Sequence, residues 1–206
     1  MGIERILALD ISTKTGWSLL ESDGKDFKLL DYGKIDKTSE PEGQYPINFV
    51  EWAESVVDEI LSIISTQRPD VLVIEETASG SKSIYSQKIL EWIHFLVANH
   101  IRNVHYKYKS VYLLTEQWRR ETGCLMSKDE SKRNKDVKKY KEKAGTNIAY
   151  DINGKRIGKI TRKQVNVRRA NEVFSKFLKE PLRQKDEDTA DSLLLGYCYH
   201  LRKGKI

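Results

Sequence analysis

Four carboxylates stand where they can share one site. Asp10 closes the apolar run 5–11, Glu75 closes the apolar run 71–75, and Asp188 and Asp191 lie three residues apart at the start of the last helical stretch, so they share a face. Acids at strand ends and at a helix start can converge at one end of a sheet. Four of them cannot crowd together without a counter-charge, because like charges repel and raise one another's pKa. A divalent cation resolves this, and an all-oxygen ligand set suits Mg²⁺ or Mn²⁺. Two ions bridged by carboxylates stabilise both the attacking and the leaving oxygen of a phosphodiester cleavage. Each acid also has a plain role. Asp10 can be a turn residue, Glu75 or Glu76 a solvated strand end, Asp188 an N-cap and Asp191 a favourable first-turn charge. The order of acid-ended strand, crossover, acid-ended strand and late acidic pair on a helix favours the metal site.

The elements that must position these acids follow from hydrophobic period. Residues 5–11, 17–20 and 27–35 read as strands of an antiparallel meander, with turn chemistry at Ser12-Thr13-Lys14-Thr15-Gly16 and at Ser22-Asp23-Gly24. Pro46 suits a first helical turn, and Val50, Ala53, Val57, Ile60, Leu61 and Ile64 recur at helical spacing, which predicts a helix over 46–66. Arg68-Pro69-Asp70 breaks it, and the strand 71–75 after the crossover implies a parallel pair. After a Ser/Gly loop containing Lys82 come a helix over 84–101, a strand over 111–114 and a short helix over 115–122. Val167, Ala170, Val173, Phe174, Phe177 and Leu178 form a helical stripe. A final helix over 187–203 buries Ala190, Leu193, Leu194, Tyr197, Cys198 and Leu201. We read 1–206 as one unit with a basic insertion at about 124–160.

The insertion and the residues after it point to a polyanionic partner. The chain of 206 residues carries a net charge of +6. Residues 128–143 hold eight basic and four acidic side chains, a mixture that a solvated face explains equally well. Residues 152–171 hold seven basic side chains and no acid: Lys155, Arg156, Lys159, Arg162, Lys163, Arg168 and Arg169. That stretch reads as DNA contact. Trp118, Arg119 and Arg120 are further candidates, with Trp118 better read as core. The two cysteines, Cys124 and Cys198, form no CxxC pair or zinc spacing, which points to a reducing, cytoplasmic compartment. No run is long and apolar enough to span a bilayer, and P-loop, HExxH and GxSxG motifs are missing. His94, His100, His105 and His200 form no ligand set.

The segments LALDISTKTGW, VLVIEET and DEDTADSLLLGYCYH resemble the three acidic motifs of the RuvC-type Holliday-junction resolvases, especially the bacteriophage variants. The resemblance covers most of 1–122 and 160–203. It implies an α/β, RNase H-like fold: a mixed five-stranded sheet with helices on both faces. It also implies a two-metal site on Asp10, Glu75, Asp188 and Asp191, with Lys163 supporting catalysis. The expected activity is cleavage of branched DNA to a 5′ phosphate and a 3′ hydroxyl. The family often carries an aromatic wedge shortly after the Glu. Here Thr77-Ala78-Ser79 stand there, and Tyr85 is the substitute candidate. Glu187 shares a helical face with Asp191, which leaves the acidic assignment open at that helix.

Two other classes compete. Asp10-Ile11-Ser12-Thr13-Lys14-Thr15-Gly16 also resembles the phosphate-binding first turn of the actin-like phosphotransferases, but that class needs two lobes and 206 residues do not supply them. A catalytically silent nucleic-acid-binding module of the same fold would not need all four acids. Finally, Ile89, Leu90, Trp92, Ile93, Phe95, Leu96, Val97 and Ile101 cover more than one helical face. One stripe can cover the sheet, and the remainder predicts a homodimer. RuvC-type enzymes use the equivalent helix for that purpose.

Overall fold

The computed structural model describes residues 2–37, 42–76, 84–103, 108–146, 148–151 and 153–205. The chain begins with β1 (Glu4–Asp10), β2 (Gly16–Ser22), β3 (Phe27–Lys34), α1 (Ile47–Gln67), β4 (Val71–Glu75), α2 (Ile84–Asn103), β5 (Lys109–Leu113) and α3 (Thr115–Glu121). It continues through α4 (Lys128–Ala144), β6 (Ala149–Tyr150), β7 (Arg156–Ile157), α5 (Arg162–Phe174) and α6 (Glu187–Lys203). Five strands form one sheet in the order β3-β2-β1-β4-β5. The first three are antiparallel to one another, whereas β4 runs parallel to both β1 and β5. This matches the meander and the parallel crossover read from the apolar runs, and it is the α/β, RNase H-like arrangement that the resemblance implies.

Both faces of the sheet are covered, which is why its central strands read as unbroken apolar runs. Side chains alternate across the pleat. Ile6, Ala8, Leu20, Val71 and Val73 pack toward α5 and α6. Leu7, Leu9, Leu19, Leu72 and Ile74 pack toward Ala53, Val57, Ile60 and Ile64 of α1 and Ile89, Ile93 and Val97 of α2. Each such buried Leu, Ile or Val side chain contributes about 2 kcal/mol. Helix α6 lies flush on β1 and β2 because residue 196 is glycine: a Cβ there would come within 2.6 Å of the Leu20 Cδ1. The far end of α6 is pinned by Lys203, whose Nζ donates to the carbonyls of Gly2 at 2.8 Å and Ser22 at 3.0 Å. Cys124 and Cys198 are free and buried. Among the described residues, no helix is long and apolar enough to cross a membrane.

The charged stretch that follows α3 is more ordered than its composition signals. In α4, Ser127 and Glu130 form a reciprocal capping box, and Gly145 ends the helix in the left-handed region with φ 59°. Val137 of α4 is buried, as is Ala149 of β6. The carboxamide of Asn134 both donates to the Ile160 carbonyl and accepts from the Ile160 N–H, each at 2.8 Å, fastening α4 to the approach of α5. Glu130 also accepts from Arg168 Nη1 at 2.6 Å. That guanidinium and the Ser127 N–H hold the Glu130 carboxyl down at about 2. A carboxylate depressed by folding adds stability above the ordinary range near about 4.3, and that stability is lost as pH falls through its folded value. Amide protection in α4, measured relative to the intrinsic exchange rate at each pH, should therefore fall as pH drops from about 4 toward 2. Glu130→Gln should flatten that dependence and loosen α4 at neutral pH. An identical pH profile in the variant would show that this carboxylate does not secure α4.

Candidate metal centre

Asp10 and Glu75 are the last residues of two adjacent parallel strands. Leu9 is in register with Ile74, so the two carboxylates emerge at the same height at one sheet edge. Asp191 reaches that edge from above, on the early part of α6. Its approach depends on Gly16, which pairs with Asp10 in β2: a Cβ at Gly16 would lie 1.9 Å from the Asp188 carbonyl oxygen. With glycine there, one carboxylate oxygen from each of Asp10, Glu75 and Asp191 lies within 4.8 Å of the others.

Neighbouring helices hold the acids in place. Thr115 of α3 donates its hydroxyl to Glu75 Oε1, and Trp118 Nε1 donates to the same oxygen at 3.3 Å. Trp118 is fully buried, as its core reading required, and it also orients a site carboxylate. Asn166 of α5 is buried and donates to Asp191 Oδ1 at 2.8 Å. Arg119 Nη2 stands 3.9 Å from Asp191 Oδ2. Neither Thr115 nor Asn166 was legible in the sequence, since a single polar residue on an amphipathic helix carries no spacing signal.

The site is strongly electronegative. Burial, followed by the charges of Glu75 and Asp191, pushes the Asp10 carboxyl well above the usual carboxylate range. Burial also raises Asp191, against the opposing hydrogen bond from Asn166 and the charge of Arg119. Arg119 offsets only part of this crowding, and an all-oxygen trio of this size fits a hard divalent ion.

Asp188 lies outside the 4.8 Å group, one turn earlier on α6. Burial raises its carboxyl, opposed chiefly by Lys163, while Lys34 and Lys14 add further positive charge at the rim. Lys163 is ion-paired with Glu187, which accounts for the second acid on that face. Burial disfavours the Lys163 charge, but the Glu187 hydrogen bond and the charges of Glu187, Asp188 and Asp191 outweigh it and keep the ammonium protonated.

Lys155, Arg156, Lys159 and Arg162 are exposed, from β7 to the first turn of α5. Arg168 is exposed and pairs with Glu130, and half-buried Arg169 bonds to the Thr122 carbonyl at 2.7 Å and to Glu172 at 3.0 Å. Lys82, Thr77-Ala78-Ser79 and His105 lie outside the described residues. Tyr85 is 59% exposed at the start of α2, its ring 5.8 Å from that of Tyr45 and 6.2 Å from that of Phe49. On α2, Ile89, Ile93 and Val97 face the core, while Phe95 is 67% exposed.

No protein-family model and no curated protein matches the chain. Solved structures do. RuvC of T. thermophilus in complex with a Holliday junction substrate matches with a TM-score of 0.60 at 11% identity, over 97% of this chain and 94% of that one. A second Thermus thermophilus RuvC structure matches with a TM-score of 0.59 at 14% identity, over the same shares of 97% and 94%. The yeast mitochondrial Holliday junction resolvase Ydc2 matches with a TM-score of 0.56 at 13% identity, over 98% of this chain and 80% of that one. Sheet order, helix placement and these likenesses agree: the chain has the fold of the RuvC-type Holliday junction resolvases.

Proposed function

We propose that the chain is a structure-selective endonuclease that hydrolyses phosphodiesters in branched DNA, four-way junctions above all. The observation that carries this reading is the meeting of Asp10, Glu75 and Asp191 within 4.8 Å at one sheet edge. These three hold divalent ions, with Asp188 adding a fourth carboxylate from the rim. Bound there, Mg²⁺ or Mn²⁺, two per site, would activate water and neutralise charge on the attacked phosphate and the leaving oxygen. The protein's own groups do the positioning. Thr115 and Trp118 fix Glu75, Asn166 and Arg119 fix Asp191, and Lys163 stands as a permanent cation beside Asp188. The whole of 1–206 works as one nuclease unit, with 124–160 as a docked basic insertion.

The chain should nick a synthetic four-way junction in Mg²⁺, leave a comparable linear duplex uncut and stop in EDTA. Products should carry a 5′ phosphate and a 3′ hydroxyl. Binding without cutting in Mg²⁺ or Mn²⁺ would establish the silent-module reading instead.

Exposed Lys155, Arg156 and Lys159 form a phosphate track. Replacing all three by Ala should weaken binding and reduce the slope of log affinity against log salt by about 1 for each phosphate that is no longer neutralised. An unchanged slope would return them to a solvated face. The exposed side of α2, with Phe95 at its centre, pairs two copies so that two sites meet a two-fold substrate. Light scattering should then give about twice the chain mass of 23.9 kDa, and a strict monomer on the junction would remove the paired-cut model.

A further inference from the structure

Between α3 and α5, beside the acidic trio, lies a hollow of about 360 Å³ that the metal chemistry does not use. Its walls carry three guanidinium groups, from Arg119, Arg120 and Arg162, against a single carboxylate, Glu116. Arg120 and Arg162 are exposed and make no ion pair among the described residues. Arg119 is fixed by its neighbours: its guanidinium lies 5.1 Å from the Trp118 ring and 3.9 Å from Asp191 Oδ2. Yet its Nε is buried and has no hydrogen-bond partner among the described residues. That atom is closed to solvent, so an anion in the hollow meets Arg119 through the positive charge of its guanidinium rather than through Nε. The rest of the wall is apolar. It includes Met126 and Leu125, and Leu125 is 60% exposed.

We propose that this hollow is a nucleotide subsite. It grips the phosphate next to the scissile one with Arg119, Arg120 and Arg162, and lays the base of that nucleotide on Leu125 and Met126. The inference rests on the branched-DNA nuclease reading and deepens it. Guanidinium forks suit phosphate oxygens, and an apolar shelf suits the face of a base. Because Arg119 contacts Asp191 on one edge, an anion on its other edge sits one guanidinium away from the metal trio. That separation is on the scale of neighbouring phosphates along one strand.

The test uses the full chain and four-way junctions whose cleavage position has been mapped. Single neutral methylphosphonates are walked across that position, and binding is measured in EDTA. Neutralising the phosphate adjacent to the scissile one should weaken wild-type binding about tenfold. The doubly substituted Arg120→Ala, Arg162→Ala chain should lose that response at this position alone. Leu125→Ala should keep the methylphosphonate response but lose the response to an abasic sugar at the same nucleotide. All three side chains are exposed, so the variants should fold. If the double variant senses the methylphosphonate as fully as wild type, or Leu125→Ala senses the abasic sugar as fully, the subsite is overturned. A wild-type chain that cuts junctions yet gives a flat profile sinks the subsite alone. A chain that neither binds nor cuts branched DNA sinks both readings.

Discussion

Replacing Asp10 by Asn should reduce junction cutting by about a thousandfold or more, because a hydrolytic metal supplies several kcal/mol of transition-state stabilisation and each 1.36 kcal/mol is tenfold in rate. Asp10 is where burial and the charges of Glu75 and Asp191 act together, so it depends most on a counter-ion. Asparagine keeps the shape and removes the charge. Junction binding should hold or tighten, since the lost carboxylate repels phosphate. Thermal stability should not fall, because the substitution relieves crowding among acids that are at least half-buried. Parallel cleavage and gel-shift titrations read both effects, and near-normal turnover in the variant would end the metal-site assignment.

Gly16→Ala should be the most damaging small substitution in the chain. The added Cβ would meet the Asp188 carbonyl oxygen at 1.9 Å, the Asp188 carbonyl carbon at 2.2 Å and the Thr189 nitrogen at 2.8 Å. All three are backbone atoms and cannot rotate away. The start of α6 must lift from β2, disturbing the Thr189 contact with the Gly33 carbonyl and the bond from Ser18 to the Ser192 carbonyl. A loss of about 3 kcal/mol or more is expected, at the upper end of overpacking effects. Cutting should fall with it, because Asp191 moves away from Asp10 and Glu75. Gly158→Ala is the control: nothing lies within 4 Å of its added Cβ, so its melting temperature should stay at the wild-type value. Equal melting temperatures for the two variants would contradict the tight approach.

The sheet and its helices were legible because apolar period dominates them. The runs ending in Asp10 and Glu75 became β1 and β4, and the last helix falls on 187–203 as its stripe predicted. The sequence could not rank Asp188 against Asp191. Both sit on one face, and which reaches the trio depends on how closely α6 approaches Gly16. Helix α4 was not legible as a helix because Val137 is its single buried residue; its order comes from end caps and from Asn134 clasping Ile160. Arg168 and Arg169 read as an exposed basic pair beside five other cations. Their engagement with Glu130, Glu172 and the Thr122 carbonyl includes partners brought close only by tertiary packing.

The acidic trio spans nearly the whole polypeptide, with Asp10 in the first strand and Asp191 in the last helix. Contacts so distant in sequence form after local structure, because loop closure opposes them. A growing or clipped chain that stops short of α6 retains Asp10 and Glu75 but has no Asp191, and it leaves Ala8 and Leu20 uncovered where α6 packs. Such a fragment should lack both the cover over its sheet and the third carboxylate of the trio. Completion of the fold and completion of the proposed metal site therefore coincide in one event, the seating of the final helix.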